Sequence, residues 1–174
     1  MLLTEFDANR QAIINPEALH EPLEGFPKIA VSCFSRLTFQ RMLEMFPHEL
    51  IYEISMANVA IPIYKLVIDD NELAIFNAPV GASACVGILE DIFALGADKL
   101  VLFGTCGVLD EDIKETSIII PSHALRDEGT SFHYVEASDE IAVNVGVLDH
   151  FRSYLNERQI SHKEGKVWTT DGVY

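Results

Sequence analysis

The fold is decided by residues 97–134, which read ADKLVLFGTCGVLDEDIKETSIIIPSHALRDEGTSFHY. The uninterrupted apolar run Leu100–Phe103 is typical of a strand that is buried on both faces, as strands of parallel sheets are. It stops at Gly104-Thr105-Cys106-Gly107, where glycines allow the main chain to turn sharply and to approach a ligand closely. Because ligands of open α/β sheets lie at the carboxyl ends of strands, this turn is a candidate binding site.

A second apolar run, Ser117–Pro121, leads into the polar segment RDEGTSFHY at residues 126–134. This segment carries too many hydrogen-bonding groups to be core filler, which indicates a site. A lone histidine is more often structural than catalytic. His133, however, stands in a cluster with Arg126, Ser131 and Tyr134.

Outward from this stretch, apolar runs alternate with segments of helical periodicity, a pattern that predicts an α/β fold. Ser83 is predicted to cap a helix that runs to Leu95, and Gly96 is predicted to end it. Two other helices are predicted at Leu37–Phe46 and Val145–Glu157, and strands at Lys28–Cys33, Leu73–Ala78, Lys99–Phe103 and Lys166–Thr170. We expect one domain over residues 1–174, with a mostly parallel twisted central sheet flanked by helices.

The first half of the chain adds an arm and a hairpin. Prolines punctuate residues 1–27, which predicts an extended arm. Ile61–Ile68 and Leu73–Phe76 flank the polar residues 69–72, a pattern typical of a β-hairpin. Pro62 cannot donate to a neighbouring strand, so we expect it at a sheet edge or at the beginning of its strand.

Composition excludes several classes of partner. The net charge is −15, from 27 acidic and 12 basic residues, and no basic run is present. This charge argues against nucleic acid and against anionic membrane surfaces. No apolar run has the length of a membrane span, and the amino terminus does not have the pattern of a secretory signal. We therefore expect a protein that binds neither membrane nor nucleic acid.

The three cysteines, Cys33, Cys85 and Cys106, lie far apart in the sequence and form no CxxC motif. Reduced, buried thiols are favoured over metal ligands, and no metal site is predicted. This cysteine usage fits a reducing cytoplasm, the location that we expect. Cys106, inside the glycine turn, is the cysteine with some chance of lining a site.

Taken in order, these motifs resemble the uridine-phosphorylase-like branch of the nucleoside phosphorylase family. The resemblance rests on ALGAD before the strand, GTCG after it, then IIIP, RDEGTSFHY and the final TTDGVY. It extends along the whole chain and is strongest over Val80–Tyr134. The family continues beyond the residue that aligns with Tyr174, so the resemblance implies the amino-terminal two-thirds of such a domain, with its carboxyl-terminal part missing.

The resemblance implies an enzyme that cleaves a ribonucleoside with phosphate to give ribose 1-phosphate and free base, in purine or pyrimidine salvage. Phosphate is then a co-substrate, and no organic cofactor is needed. The family forms homo-oligomers built from dimers, up to hexamers, so a homo-oligomer is expected here. The sequence does not choose between purine and pyrimidine nucleosides.

The implied phosphate site is formed by Gly104, Thr105 and Gly107 of the glycine turn, with Arg36 after the first strand. A structural explanation would account for the same residues. The glycines would then only allow a tight turn after the strand, and the arginine would only be a solvated residue at a helix start. The family's Gly-Asp-Pro turn before this arginine is replaced by Ser32-Cys33-Phe34.

Two arginines of the family's phosphate site are missing from this sequence. Leu102 aligns with one of them, and Val59 falls near the position of the other, which the neighbouring subunit lends. An aliphatic residue removes a charge-assisted contact to phosphate. Arg126 and His133 are candidates for replacing that charge. Weak phosphate binding, and little or no turnover by residues 1–174 alone, are expected.

On the nucleoside side, the resemblance implies that Gly81 borders the ribose and base. Further base-pocket residues would be His133, Thr169, Asp171 and Tyr174. The family's methionine–glutamate pair, which holds the ribose hydroxyls, and its base-protonating groups are expected beyond Tyr174. No catalytic residue is therefore assigned.

Two alternatives remain open at this stage. Loss of an arginine at Leu102 favours a nucleosidase, in which water replaces phosphate. The other alternative is a nucleoside-binding relative that has lost catalysis. Product analysis with and without phosphate separates the two enzymes, and ligand binding without base release would identify the third.

Overall fold

The computed structural model describes residues 2–113 and 118–172. They form two compact units. The first unit is Asn9–Thr105, and the second joins the residues before Asn9 to those after Thr105. In the part of the chain that the structure describes, no helix is both long and apolar enough to cross a bilayer.

The first unit is a five-stranded sheet with a helix on each face. Its sheet order is β2-β3-β4-β1-β5. Strand β1 pairs in parallel with β4 and β5, whereas β2 with β3 and β3 with β4 are antiparallel. The strands are β1 (Ile29–Cys33), β2 (His48–Ser55), β3 (Ala60–Ile68), β4 (Asn71–Asn77) and β5 (Lys99–Phe103), and the helices are α1 (Arg36–Met45) and α2 (Ala82–Leu95).

Each face of this sheet is covered by one helix. Helix α1 packs Phe39 against Cys33, Leu66 and Ile75. On the opposite face, α2 contributes to a larger cluster of buried side chains, namely Cys85, Ile88, Ile92 and Leu95 with Ala30, Ile63, Ala74 and Phe76 of the strands. The predicted α/β class, with a central sheet flanked by helices, is confirmed. The antiparallel part follows from the short turns that join β2, β3 and β4, since such turns can only reverse the chain.

The predicted hairpin is present, with β3 and β4 joined at Asp69 and Asp70. Both residues have positive φ, 47° and 62°, as two-residue hairpin turns require. Pro62 lies near the beginning of β3 and faces Glu53 of β2. The ladder between β3 and β4 begins at Tyr64, so no hydrogen bond to β4 is lost at the proline.

The placement of β5 corrects one prediction. Strand β5 was expected to be buried on both faces, but it is an edge strand of the five-stranded sheet. Leu102 is 38% exposed and Phe103 is 42% exposed. An apolar run indicates a strand, but it does not say how many neighbours that strand has.

The start of α2 corrects another prediction. The residue that caps this helix is Gly81, with φ 108°, and Ser83 lies inside the first turn. Gly81 offers no side chain to the free N–H groups of that turn, and only glycine adopts this φ readily. At the other end Gly96, with φ 130°, ends the helix as predicted.

The second unit is a three-stranded sheet with one helix, α3 (Val145–Glu157). Its strands are β6 (Ile118–Asp127), β7 (Glu140–Ala142) and β8 (His162–Thr170), in the order β7-β6-β8. Strand β8 contains the predicted strand Lys166–Thr170, but it pairs with β6 and not with the five-stranded sheet. Helix α3 has its predicted bounds, and Asn144 caps it by accepting a hydrogen bond from the Val147 N–H at 3.2 Å.

An ion pair joins α3 to β8 in this unit. The Arg152 guanidinium donates to both carboxylate oxygens of Glu164, at 2.6 and 2.8 Å, and it also pairs with Asp149. These hydrogen bonds lower the pKa of Glu164 below its ordinary value. A carboxylate with a lowered folded-state pKa stabilises the fold above its unfolded pKa.

Glu164→Gln should lower the melting temperature at neutral pH, because it removes one partner of this ion pair. The difference from wild type should vanish as the pH falls through the lowered pKa of Glu164, where the wild-type carboxyl is also neutral. Thermal denaturation from neutral pH to below the ordinary glutamate pKa of about 4.3 measures this. Glu157→Gln, which removes a carboxylate of α3 outside this ion pair, is the control and should leave the melting temperature close to that of wild type. A Glu164→Gln difference that persists in acid would contradict the ion-pair explanation.

Ser32→Ala tests the centre of the first unit. The buried Ser32 hydroxyl donates to the Phe76 carbonyl at 2.8 Å and accepts from the Ala78 N–H at 3.1 Å. Loss of the hydroxyl removes one hydrogen-bond partner from the Phe76 carbonyl and one from the Ala78 N–H. The free energy of unfolding should fall by about 1–2 kcal/mol, as measured by urea unfolding. Ser83→Ala, at an exposed serine that does not cap α2, should change stability by less than about 0.5 kcal/mol. Equal losses in the two variants would refute this assignment.

Candidate functional site

In the first unit, the candidate site lies at the carboxyl edge of the parallel strands. Residues of β1 pair in register with β4 and with β5, so that Cys33 lies beside Asn77 and Phe103. The three strands therefore end at the same edge. Gly81, Arg36 and the Gly104-Thr105 pair follow these ends, so four predicted site residues are brought to one edge of one sheet.

Arg36 is held at this edge by the start of α1. It is the first residue of the helix, and Ser35 is the capping residue. The Ser35 hydroxyl accepts hydrogen bonds from the Thr38 N–H at 3.2 Å and from the Thr38 hydroxyl at 3.0 Å. The Arg36 side chain is exposed. Within the described residues it makes no ion pair, so its guanidinium can bind an anion from solvent.

The two glycines of this edge are required for different reasons. Gly81 has φ 108° and open space around it, so its requirement is conformational. At Gly104 the requirement is steric, because a Cβ there would lie 2.8 Å from Cδ2 of Phe34. Thr105 follows with an exposed side chain, and its hydroxyl is available as a hydrogen-bonding group.

Sequence reasoning missed the role of Phe34. It noted this residue only as part of the replaced Gly-Asp-Pro turn, and not as a group that contacts the glycine turn. The three heavy atoms nearest to a Cβ at Gly104 all belong to the Phe34 ring. The register between β1 and β5 could have indicated this contact, since both residues follow paired strand ends, but that register is a tertiary property.

The second unit brings together other predicted residues. Thr169 on β8 is the register partner of Arg126 on β6. The Asp171 carboxylate accepts a hydrogen bond from the Gly129 N–H at 3.0 Å, and the Asp171 N–H donates to the Asp127 carbonyl at 3.0 Å. The end of β8 is thereby tied to the loop that follows β6.

Two further predicted residues of this unit are exposed, and a third lies outside the described residues. His133 is the exposed last residue of a 3-10 turn, Thr130–His133, in the same loop. Gly107 is exposed, and nothing lies within 4 Å of the place where its Cβ would be. Tyr174 lies outside the described residues.

The Arg126 side chain forms hydrogen bonds with the loop that follows β6, at residues 131–138. It is 8% exposed, and its Nε donates to the Ser131 hydroxyl at 2.8 Å. Its Nη1 donates to the Glu136 carbonyl at 2.7 Å and to the Ser138 hydroxyl at 2.9 Å, and its Nη2 donates to the Val135 carbonyl at 3.4 Å. The Phe132 ring lies 4.1 Å from the guanidinium carbon, which adds a cation–π contact.

The Glu128 carboxylate interacts with the buried Arg126 guanidinium indirectly, through the Ser131 hydroxyl. The Ser131 hydroxyl accepts from Arg126 and donates to Glu128, whose second carboxylate oxygen accepts from the Ser131 N–H at 2.9 Å. This arrangement satisfies a buried charge without a direct contact between guanidinium and carboxylate. It rigidifies the loop that carries His133.

The three cysteines are free thiols. Cys33 and Cys85 are buried free thiols, and burial raises the pKa of Cys85. Cys106 is an exposed free thiol in the glycine turn. Among the described residues, no group of three or more histidine, cysteine or acidic side chains could hold a metal ion.

In open α/β folds, ligands commonly lie at the carboxyl ends of parallel strands, the edge at which this unit has its glycine turns and the exposed Arg36. A sequence profile of the Phosphorylase superfamily matches residues 28–174. The chain therefore belongs to this superfamily, and the predicted nucleoside phosphorylase family is confirmed.

Among curated relatives, the uridine phosphorylase of Treponema pallidum (strain Nichols) is 29% identical over 94 residues, which are 54% of this chain and 36% of that protein. The aligned part thus spans about a third of the relative's length.

Two solved structures have a similar fold. The uridine phosphorylase of Vibrio fischeri ES114 matches with a TM-score of 0.76 at 19% identity, over 94% of this chain and 67% of that one. The 5′-methylthioadenosine/S-adenosylhomocysteine nucleosidase of Helicobacter pylori matches with a TM-score of 0.66 at 20% identity, over 86% of this chain and 66% of that one. At these identities the likeness shows a shared fold.

Arg126→Met should loosen the loop at residues 128–138, because it removes the buried guanidinium that donates to two carbonyls and two hydroxyls of this loop. We expect a loss of about 3 kcal/mol in unfolding free energy, and faster amide hydrogen exchange in this loop. Arg126→Lys should also destabilise, since an ammonium cannot replace the planar array of donors.

The control is Arg41→Met, which removes an exposed arginine of α1 and should cost less than about 0.5 kcal/mol. Unchanged exchange at residues 128–138 in Arg126→Met would refute the structural role.

Proposed function

We propose that the protein cleaves the N-glycosidic bond of a ribonucleoside with phosphate as the attacking group, giving ribose 1-phosphate and free base. The observation that carries this proposal is the alignment of β1 and β5. At their common edge, the exposed Arg36 follows β1, and Gly104 and Thr105 follow β5. Membership of the Phosphorylase superfamily supports it.

The reaction needs little covalent chemistry from the protein. A phosphate oxygen bonds to C1′ of the ribose as the C1′–N bond breaks, and the bonding electrons leave with the base, which takes up a proton. Positive charge grows on the ribose ring during this step. The protein must therefore hold the phosphate beneath C1′ and orient the sugar, which are contributions of proximity and electrostatics.

Arg36, Gly104 and Thr105 are assigned to the phosphate, with Gly107 following in the same turn. A guanidinium supplies charge-assisted hydrogen bonds, and main-chain N–H groups with a hydroxyl complete an anion cradle. Local positive charge matters here because the chain as a whole carries a net charge of −15, which repels anions at long range.

Gly81, His133, Thr169 and Asp171 are assigned to the nucleoside, together with Tyr174. Gly81 supports this assignment by leaving open space at the amino end of α2. The hydrogen bonds of Asp171 fix its carboxylate beside Gly129, where one oxygen is already used. Purine and pyrimidine nucleosides are both consistent with these residues, so substrate screening includes both.

Hydrolysis is the second candidate, and a specific observation favours it. Leu102 supplies no charge at the strand end, and the Phe34 ring covers one side of Gly104. Water needs no anion cradle, so a nucleosidase tolerates both features. A nucleosidase fold is also among the similar solved structures.

Product identity tests the proposal. Uridine, inosine and adenosine are incubated with the protein, with and without phosphate, and base, ribose and ribose 1-phosphate are quantified. Turnover by residues 1–174 is expected to be slow, but any base that is released should be matched by an equal amount of ribose 1-phosphate, and only when phosphate is present. Free ribose at a rate independent of phosphate would overturn phosphorolysis in favour of hydrolysis. Nucleoside binding by calorimetry with no base release even in a full-length chain would overturn both.

Arg36→Ala tests whether Arg36 binds the phosphate, with Arg41→Ala as the matched control. Loss of one charge-assisted hydrogen bond is worth about 1.5–3 kcal/mol, so phosphate affinity should fall about tenfold or more. Arg41→Ala removes an exposed arginine from the same helix and should leave phosphate affinity unchanged. Equal effects of the two substitutions would show that only overall charge matters.

A further inference from the structure

We propose that Phe34 sets the phosphate affinity of this protein by covering Gly104 with its ring. The inference rests on the proposed function, because it takes phosphate to bind at the edge formed by β1 and β5. Phe34 is then a specificity-determining residue that weakens phosphate binding at that edge.

The contact between Phe34 and Gly104 is close. A Cβ built at Gly104 would lie 2.8 Å from Cδ2, 3.5 Å from Cε2 and 3.8 Å from Cγ of the ring. The ring therefore fills the space into which a side chain at this position would project. A ligand that approaches the Gly104 main chain from this side meets hydrocarbon.

The main chain around Phe34 is held on both sides. Before it, the Cys33 carbonyl accepts hydrogen bonds from the Asn77 side chain at 2.7 Å and from the Ala78 N–H at 3.0 Å. After it, Ser35 is fixed by its bonds to Thr38 at the start of α1. Phe34 can therefore uncover Gly104 only by rotating its side chain, which is 37% exposed and has space on its solvent side.

Apolar residues near the ring make anion binding unfavourable while the ring covers Gly104. The strand that leads to Gly104 ends in Leu102 and Phe103, which are partly exposed and apolar. An anion placed against such groups loses water and gains no hydrogen bond, which is unfavourable. Arg36, two residues after Phe34, supplies the cation, but the main chain of Gly104, which would share the phosphate, lies beside the ring. Phosphate binding then requires the ring to turn away first, which lowers the apparent affinity.

Shortening the side chain should remove this requirement. Phe34→Ala should bind inorganic phosphate at least about tenfold more tightly than wild type, a change that corresponds to about 1.4 kcal/mol. Phe34→Val should give a smaller gain and serves as a second, more conservative truncation. Phe34→Leu retains most of the apolar bulk and should remain close to wild type. Combining Phe34→Ala with Arg36→Ala should abolish the gain, which locates the effect at this edge.

Titration with inorganic phosphate, followed by phosphorus NMR or calorimetry, measures these affinities without any need for turnover. Circular dichroism confirms that each variant is folded. Equal, measurable phosphate binding by wild type, Phe34→Ala and Phe34→Val would overturn the role of Phe34 and leave the proposed function standing. Absence of phosphate binding in all of them would overturn both the role of Phe34 and phosphorolysis at this site. A gain that survives Arg36→Ala would also overturn the inference, because the phosphate would then bind elsewhere.

Discussion

The structure of the first unit depends on the position of β1, which is hydrogen-bonded in parallel between β4 and β5. The buried Ser32 hydroxyl reinforces this arrangement by bridging to Phe76 and Ala78 across the β1–β4 boundary. Parallel pairing aligns the carboxyl ends of the three strands, and that alignment alone brings the distant glycine and arginine residues to one edge. Without it, these residues would have no common location.

Two arginines show how the same charged group can serve different purposes. Arg126 is buried and satisfied by carbonyls, hydroxyls and an aromatic ring, so its charge organises a loop. Arg36 is exposed at a helix start and makes no ion pair among the described residues, so its charge is available to a ligand. The sequence resemblance placed Arg36 in the phosphate site and offered Arg126 as a candidate for replacing a missing charge. Burial and hydrogen bonding distinguish them, and they favour Arg36 for the phosphate.

Superfamily membership and shared fold constrain the chemistry, but they do not select the attacking group. Both a uridine phosphorylase and a nucleosidase have folds similar to that of this chain. The choice between phosphate and water must therefore follow from the groups at the sheet edge. Here the edge combines one feature that favours an anion, the open guanidinium, with an apolar ring over the glycine turn. Phosphate binding at this edge is the property on which the two reactions differ.

The sequence by itself determined the helices, most strands, the hairpin turn and the glycine that ends α2. Apolar periodicity and the preferences of glycine and proline act over a few residues, so they can be read locally. Only the tertiary structure decided that β5 lies at an edge, that β8 pairs with β6, and that Gly81 caps α2. It also decided that Phe34 covers Gly104 and that Arg126 faces its own loop. The edge position of β5, the pairing of β8 and the contact of Phe34 depend on segments that are distant in the chain, and local patterns carry no information about which distant segments will meet. The cap at Gly81 and the loop around Arg126 are local, but they depend on main-chain conformations that the residue types alone do not fix.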